Sequence, residues 1–268
     1  MFGRADGNGG RARSFLAWIG LVLMAASFVW LQLLPSSPRP PIDIPPPATD
    51  RPFALVVLDP GHGGQDSGTI KTGILEKELT LDVALRTKRF LQLQGVDTLL
   101  TRTGDTYVSL AERAAIANAR QNCVFVSIHF DDAARPAATG IETYYAARQV
   151  STSPHVVAWL PFLERVGPEF PNVESQSLAA SIQEALVTRT QAVNRGTTPH
   201  QFFVISHVRH PAVLVEGGFL TNAQEVNKLA TSDYREQIAA AISDGVIHYR
   251  EVLQQRQTPL PINLPGGE

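Results

Sequence analysis

The sequence predicts an α/β fold: a single domain with a largely parallel, twisted sheet covered by helices on both faces. Three observations carry this reading. Short apolar runs alternate with amphipathic stretches between residues 53 and 252, the order that builds a parallel sheet covered on two sides. One run, Val124–Ile128 (VFVSI), is nearly all apolar, as expected of a strand buried on both faces. Another, beginning Val56-Val57-Leu58, breaks at Asp59-Pro60-Gly61-His62-Gly63-Gly64. A glycine-rich turn after a strand lies at the edge of an open α/β sheet where ligands bind, and its glycines let the backbone come close to whatever His62 holds.

Not all 268 residues belong to that domain. Residues 1–14 carry Arg4, Arg11 and Arg13 and read as a short cytoplasmic N-terminus. Residues 15–34, FLAWIGLVLMAASFVWLQLL, hold no charge and as a helix span roughly 30 Å, the thickness of a bilayer core. An N-terminal transmembrane helix, acting as a signal anchor, therefore precedes the domain. Cleavage as a signal peptide near Ala25-Ala26-Ser27 is the alternative, and the apolar run continuing to Leu34 argues against it. Either way the remainder lies on the periplasmic or extracytoplasmic side of the cell membrane. Residues 35–52 are rich in proline and read as an extended spacer.

The domain, 53–252, opens with a strand at Phe53–Leu58. A helix is predicted from Glu76, with Leu79, Val83, Phe90 and Leu91 on one face and Gly95 at its end. Val96–Thr101 completes a βαβ unit. Leu110–Gln121 is Ala-rich and helical, with Ser109 as its N-cap. After Val124–Ile128, the alternation of Gly140–Tyr145 gives another strand. Ala146–Ser175 has no clear period, four prolines and one short apolar piece, Val156–Leu163. An insertion of that length suits a lid or binding loop. Gln176–Val193 reads as helix, Phe202–Ile205 and Ala212–Val215 as short strands, Asn222–Leu229 and Tyr234–Tyr249 as helices. The tail, 253–268, reads as disordered.

The formal net charge of −2 gives no basis for nucleic-acid binding. The one cysteine, Cys123, excludes an internal disulfide and sits in an apolar run, where a buried inert thiol is expected.

Two of the seven histidines, His62 and His129, directly follow predicted strands, and Glu76 opens the first helix. In a parallel sheet, strand ends and the helix starts after them share one edge, so these three side chains can converge. Two imidazoles and one carboxylate leave a fourth position open on zinc, the pattern of a catalytic site. Glu216 ends the later strand Val213-Leu214-Val215 and would reach the same edge. Glu78 competes with Glu76 but would leave the helix on a different side.

Four ordered stretches, LDPGHGGQDSG, LEKELTLDVA, FVSIHFD and PAVLVEGGFLTN, resemble the zinc-dependent N-acetylmuramoyl-L-alanine amidases of peptidoglycan (amidase type 3, cell-wall hydrolases) over about Ala54 to Tyr249. The resemblance implies Zn2+ held by His62, Glu76 and His129, with Glu216 as the catalytic acid/base. It implies a peptidoglycan substrate cut between N-acetylmuramic acid and L-alanine, in cell-wall remodelling or cell separation. Asp131 stands where the family has Asn or Asp and would contact substrate or orient the ligands; Asn194 and Arg195 lie near the cleft in that family and are candidate substrate-binding residues.

The sequence departs from the family pattern in three places. Its shorter members lack the insertion at 146–175, and in some relatives such an insertion blocks the zinc site until a protein activator removes it; Val156–Arg165 is the candidate blocker. Thr197-Thr198 stand where a lysine is usual, and Phe130 and the His200–His210 segment are unusual. Two alternatives remain at this point. One is a non-catalytic zinc-containing domain that binds the wall or associates with the divisome, for which Glu216 would be unnecessary. The other is a zinc peptidase with another amide substrate.

Overall fold

The computed structural model describes residues 52–131, 135, 137–149 and 172–257, together with Trp18. The expected anchor, the linker up to Arg51, the segment Val156–Arg165 and the tail from residue 258 lie outside the described residues. Among the described residues, no helix is long and apolar enough to cross a membrane. Residues 48–268 form one unit, distinct from 1–47, and the former is described below.

In chain order the elements are β1 (Leu55–Pro60), β2 (Ile70–Lys71), β3 (Ile74–Leu75), α1 (Glu76–Leu93), β4 (Asp97–Leu100), α2 (Leu110–Asn118), β5 (Cys123–Asp131), β6 (Ile141–Tyr145), α3 (Val173–Thr190), β7 (Asn194–Pro199), α4 (Phe203–Ser206), β8 (Ala212–Phe219), α5 (Ala223–Leu229) and α6 (Ser232–Gln257). Six strands form one sheet in the order β4-β1-β5-β8-β6-β7. The first four are mutually parallel, β6 runs antiparallel to β8, and β7 is parallel to β6. The largely parallel α/β sheet predicted from the sequence is therefore present, with two reversed strands at one side.

Strand alternation divides the core between the two faces. Val56, Leu58, Val126, Ile128, Val213 and Val215 pack in one cluster with Leu79 and Val83 of α1, Leu178 and Ile182 of α3, and Ile238 and Ile242 of α6. Val57, Phe125, Ala212 and Leu214 point the other way and pack with Ala114 and Ala117 of α2 and Val204 and Ile205 of α4. Each of the valine, leucine, isoleucine and phenylalanine side chains contributes about 1.5–3 kcal/mol by leaving water, and the alanines less. Following the alternation past Val57, Phe125 and Leu214 places Asp59, Ser127, His129 and Glu216 on the α2/α4 face, near the carboxyl ends of their strands. His129 and Glu216 remain partly exposed there.

Several local expectations hold. Ser109 caps α2 in a reciprocal capping box with Glu112. Gln94 closes α1 and Gly95 follows it with φ +69°. Cys123 is buried, which pushes its thiol up to about 11.

Others are corrected. Phe202–Ile205 is not a strand: Phe202 is the extended N-cap of the single turn α4. A short apolar run has no period that separates a buried strand from a buried turn of helix, and here Val204 and Ile205 are both buried against the sheet. The strand β7 was not expected, because NRGTTP is polar; it is an edge strand, and such strands carry polar residues. The last helix runs on to Gln257, past both the expected domain end at 252 and the expected start of the tail.

Candidate metal centre and active site

The site begins where β1 ends. Gly61 N still donates to Ile128 O across the sheet, and the chain then turns at His62, which takes φ +60°, an unusual value for a residue with a side chain. That conformation aims the imidazole at the start of α1. Its Nδ1 lies 2.9 Å from Asp66 Oδ2, and Nε2 lies 2.9 Å from Glu76 Oε1. With Nδ1 engaged by the Asp66 carboxylate, Nε2 is the nitrogen left for a ligand, the arrangement that fixes a metal-binding tautomer.

Glu76 is the first residue of α1 and is almost fully buried. Its Oε1 faces both histidines, lying 3.1 Å from His129 Nδ1, and accepts from Phe130 N; its Oε2 accepts from Thr69 N. Glu78, the competitor in the same turn, is exposed. One ligand atom from each of His62, Glu76 and His129 lies within 4.8 Å of the others, and no other such group occurs among the described residues. The two imidazole rings meet edge to face at 4.9 Å.

Close packing makes this arrangement possible. A Cβ on Gly61 would come within 2.3 Å of the His129 ring, and one on Gly68, where φ is +61°, within 2.5 Å of Glu76 Oε2. Both positions accept only glycine with the present ligand geometry. The electrostatics suit a cation. Burial pushes the Glu76 carboxyl up, but hydrogen bonds and charge from His129 and His62 outweigh it and hold the group well below the usual carboxylate range. Burial pushes His62 down, but Glu76 and Asp66 outweigh it and hold the imidazole above 6.5. Two imidazoles and an ionised carboxylate at this spacing are a donor set of the kind zinc takes, with room for a fourth ligand.

Glu216 lies directly opposite His129 on the neighbouring strand, one strand spacing of about 4.8 Å away. Its Oε2 is enclosed and has no hydrogen-bond partner. Burial, with the nearby charges of Glu76, Asp131 and Glu142, pushes its carboxyl well above the ordinary range. A carboxyl raised in this way keeps its proton to higher pH than an ordinary carboxylate does. Immediately after Glu216 the β5–β8 register slips by one residue before Asp131 pairs with Phe219. Such bulges redirect a strand and occur beside active sites. Phe130 fills the space over Gly217 at the slip.

The remaining sequence candidates divide. Asp131 ends β5 at that bulge, partly buried, close enough for its charge to act on Glu216. Arg195 sits where the β6–β7 register also slips. Its Nε donates to Glu142 Oε2 at 3.2 Å and its guanidinium lies 4.9 Å from the centre of the Phe219 ring. Glu142 is itself the register partner of Glu216, so His129, Glu216 and Glu142 form a row along adjacent strands. Asn194 is exposed, and its Oδ1 accepts from Gln183 of α3 and from Gly196 N. His200, His207 and His210 are outside the cluster, and His210 bonds to Arg120 O.

The sequence reading missed Asp66, the partner of His62, although the aspartate stands four residues on in the same motif. It also missed Asp59, Arg102 and Arg113, and Glu142. Only Asp59 carried a local signal, an acid closing an otherwise apolar strand, where burial requires partners; Arg113, Thr101 and Ser127 supply them.

Comparison with known proteins agrees with this architecture. Residues 56–248 match the family described as N-acetylmuramoyl-L-alanine amidase. LytC of Bacillus subtilis, an N-acetylmuramoyl-L-alanine amidase, is 36% identical over 72% of the chain, which spans only 35% of LytC. The crystal structure of the N-acetylmuramoyl-L-alanine amidase from Clostridium difficile 630 aligns with a TM-score of 0.63 at 33% identity, covering 75% of this chain and 98% of that one. The CwlD amidase of Clostridioides difficile, solved in complex with the GerS lipoprotein, aligns at 0.62 with 26% identity, covering 74% and 99%. A mixed α/β domain with this sheet, carrying an imidazole–carboxylate cluster at its carboxyl edge, is thus placed: the chain belongs to the N-acetylmuramoyl-L-alanine amidase family.

Proposed function

We propose that this chain is a zinc-dependent hydrolase of the amide between N-acetylmuramic acid and L-alanine in peptidoglycan. The observation that carries the reading is the His62–Glu76–His129 cluster with Glu216 opposite His129 on the next strand. Those three side chains would hold the metal. When bound, zinc supplies Lewis-acid polarisation of the scissile carbonyl and lowers the pKa of a water toward 7. Glu216 takes the proton from the attacking water and returns it to the leaving L-alanine nitrogen. Its surroundings suit that task, since burial and the neighbouring carboxylates give its carboxyl a higher proton affinity than an ordinary glutamate has. Asp66 holds His62 in the ligating tautomer. Arg195, anchored through Nε by Glu142, directs its charge to a substrate carboxylate, while Asn194 secures the strand that carries it and Asp131 flanks the reacting amide.

Action on the wall places the domain outside the cytoplasm, with residues 15–34 as the tether. A protein activator belongs to the same reading. Its support is the CwlD–GerS complex and the long connection between β6 and α3.

The test is product analysis. Residues 48–268 are incubated with purified peptidoglycan, with and without a zinc chelator. Stem peptides with a free L-alanine N-terminus, lost on chelation, are expected. Bound zinc with no release, restored by deleting 150–171, would assign inhibition to that stretch. Bound zinc with no release in either form would favour a non-catalytic wall-binding domain, and release of other fragments a different amide substrate.

Zinc affinity should also depend on pH in a defined direction. A ligating imidazole must be unprotonated, and His62 holds its proton above the ordinary 6.5. Affinity is therefore expected to be full above the His62 pKa and to fall as pH drops through it, starting higher than for an unperturbed histidine. Chelator competition across pH 5.5–8.5 measures this. A profile that declines only below pH 6.5 would mean that Glu76 and Asp66 do not raise the His62 imidazole, and one with no decline at all would contradict the assignment of His62.

A further inference from the structure

The turn that carries His62 is held through its backbone. All five carbonyls from Pro60 to Gly64 have donors. Pro60 O accepts from Arg102 Nε at 3.0 Å and Arg113 Nη1 at 2.6 Å. Gly61 O accepts from Arg102 Nη2 at 2.7 Å and Thr80 Oγ1 at 2.8 Å. His62 O accepts from Arg113 Nη2 at 2.6 Å. Gly63 O accepts from Asp66 N, and Gly64 O from Lys77 Nζ. The two arginines that carry most of this are only 4% and 3% exposed.

Their origins differ. Arg102 follows β4 and also reaches Lys77 O and Thr80 Oγ1 of α1, the helix that begins with Glu76. Arg113 comes from α2 and is neutralised by Asp59 at 2.7 Å, an aspartate with no exposed surface that also accepts from Thr101, just after β4, and from Ser127 of β5. One guanidinium therefore joins the His62 turn to the Glu76 helix, and the other joins it to the sheet and α2. A planar fork with five donors can do this; an ammonium cannot serve acceptors spread in the same way.

We infer that Arg102 and Arg113 are positioning residues for the metal centre: by fixing the carbonyls of Pro60, Gly61 and His62 they hold His62 in its left-handed conformation and in register with Glu76, and so set the affinity for zinc. The inference rests on the zinc reading above. Neither arginine is in the cluster, and their donors go to backbone carbonyls, to Asp59 and to Thr80 rather than to His62, Glu76 or His129 side chains. Without the clamp, His62 can relax toward ordinary φ, and the ligand set must then be assembled at the expense of binding.

A merely structural role would lower stability and leave the metal affinity of the folded protein alone, so the experiment reads both. The full chain in detergent, stripped of metal, is titrated with zinc against a chromogenic chelator, and the melting temperature of the metal-free form is recorded. Arg102→Lys and Arg113→Lys keep the charge and lose the fork. Each is expected to weaken zinc binding by about 10–100-fold, the range seen when outer partners of metal ligands are changed. Leu178→Ala, on the core face of α3, is expected to lower the melting temperature with zinc affinity unchanged. Thr80→Val removes one donor to Gly61 O with little change in shape and covers the case in which a lysine variant does not fold; several-fold weaker binding is expected. Wild-type zinc affinity in every folded variant would overturn the inference. Failure of the unsubstituted chain to bind zinc would instead overturn the zinc reading.

Discussion

Replacing Glu216 by glutamine is expected to lower the rate of peptidoglycan cleavage by about 10²–10⁴-fold, the usual range for one acid/base group, while zinc binding stays intact. At about 1.4 kcal/mol per factor of ten, this corresponds to roughly 3–5.5 kcal/mol of lost transition-state stabilisation. The two readouts separate because Glu216 stands opposite His129 but outside the three-residue cluster. The variant should also keep its fold, and the sign follows from the environment. Burial and the charges of Glu76, Asp131 and Glu142 raise the Glu216 carboxyl above its unfolded value. A carboxyl raised on folding destabilises the native state once pH exceeds the unfolded pKa, because the native state must either keep the proton or bear the buried charge. A neutral amide removes that penalty, so the metal-free Gln variant is expected to melt no lower than the unsubstituted protein at pH 7. Steady-state rates with zinc quantified in each sample provide the check. A variant that keeps more than a tenth of the rate would remove Glu216 from the proton-transfer step.

What the sequence disclosed about this site follows from what determines each part of it. His62, Glu76 and His129 were legible because a parallel strand and the helix after it must meet at one sheet edge, and because glycine flanks the histidine that needs an unusual backbone. Glu76 could be chosen over Glu78 because two helical positions differ by about 200° around the axis, and the structure leaves Glu78 exposed. The direction of β6 was not legible, since alternation has no sense of direction; yet that reversal puts Glu142 beside Glu216. The strand β7 was hidden by its polarity, and with it the fact that Arg195 lies at a bulge tied to Glu142. Arg102 and Arg113 were the least visible. In TRTGD and AERAA they have the look of solvated charges, and the carbonyls and the Asp59 carboxylate brought to them by distant parts of the chain account for their burial. The ends of the predicted elements thus disclosed the three side chains that cluster at the sheet edge. The groups packed behind them meet through tertiary contacts that no local pattern records.

The substitution Gly61→Ala adds one methyl group and is expected to abolish tight zinc binding. Gly61 does not take positive φ, so alanine is acceptable to the backbone and the effect comes from contact alone. The added carbon would lie 2.3 Å from His129 Cε1 and 2.5 Å from His129 Nε2, far inside any normal contact. Two responses are open. The imidazole can swing away, which separates His129 Nδ1 from Glu76 Oε1, now 3.1 Å apart. Alternatively the turn can withdraw, which strains the hydrogen bonds from Arg102 and Thr80 to Gly61 O and carries His62 with it. Either response removes a histidine from the ligand set. The loss of zinc affinity should therefore exceed the 10–100-fold typical of a change behind the ligands. Activity should fall in proportion to the fraction of protein left without metal and recover in part at high zinc concentration. Recovery with metal separates this variant from Glu216→Gln, whose rate no amount of zinc restores. A Gly61→Ala protein with the zinc affinity of the unsubstituted chain would mean that His129 does not need its present position to bind, and the ligand assignment would have to be drawn again.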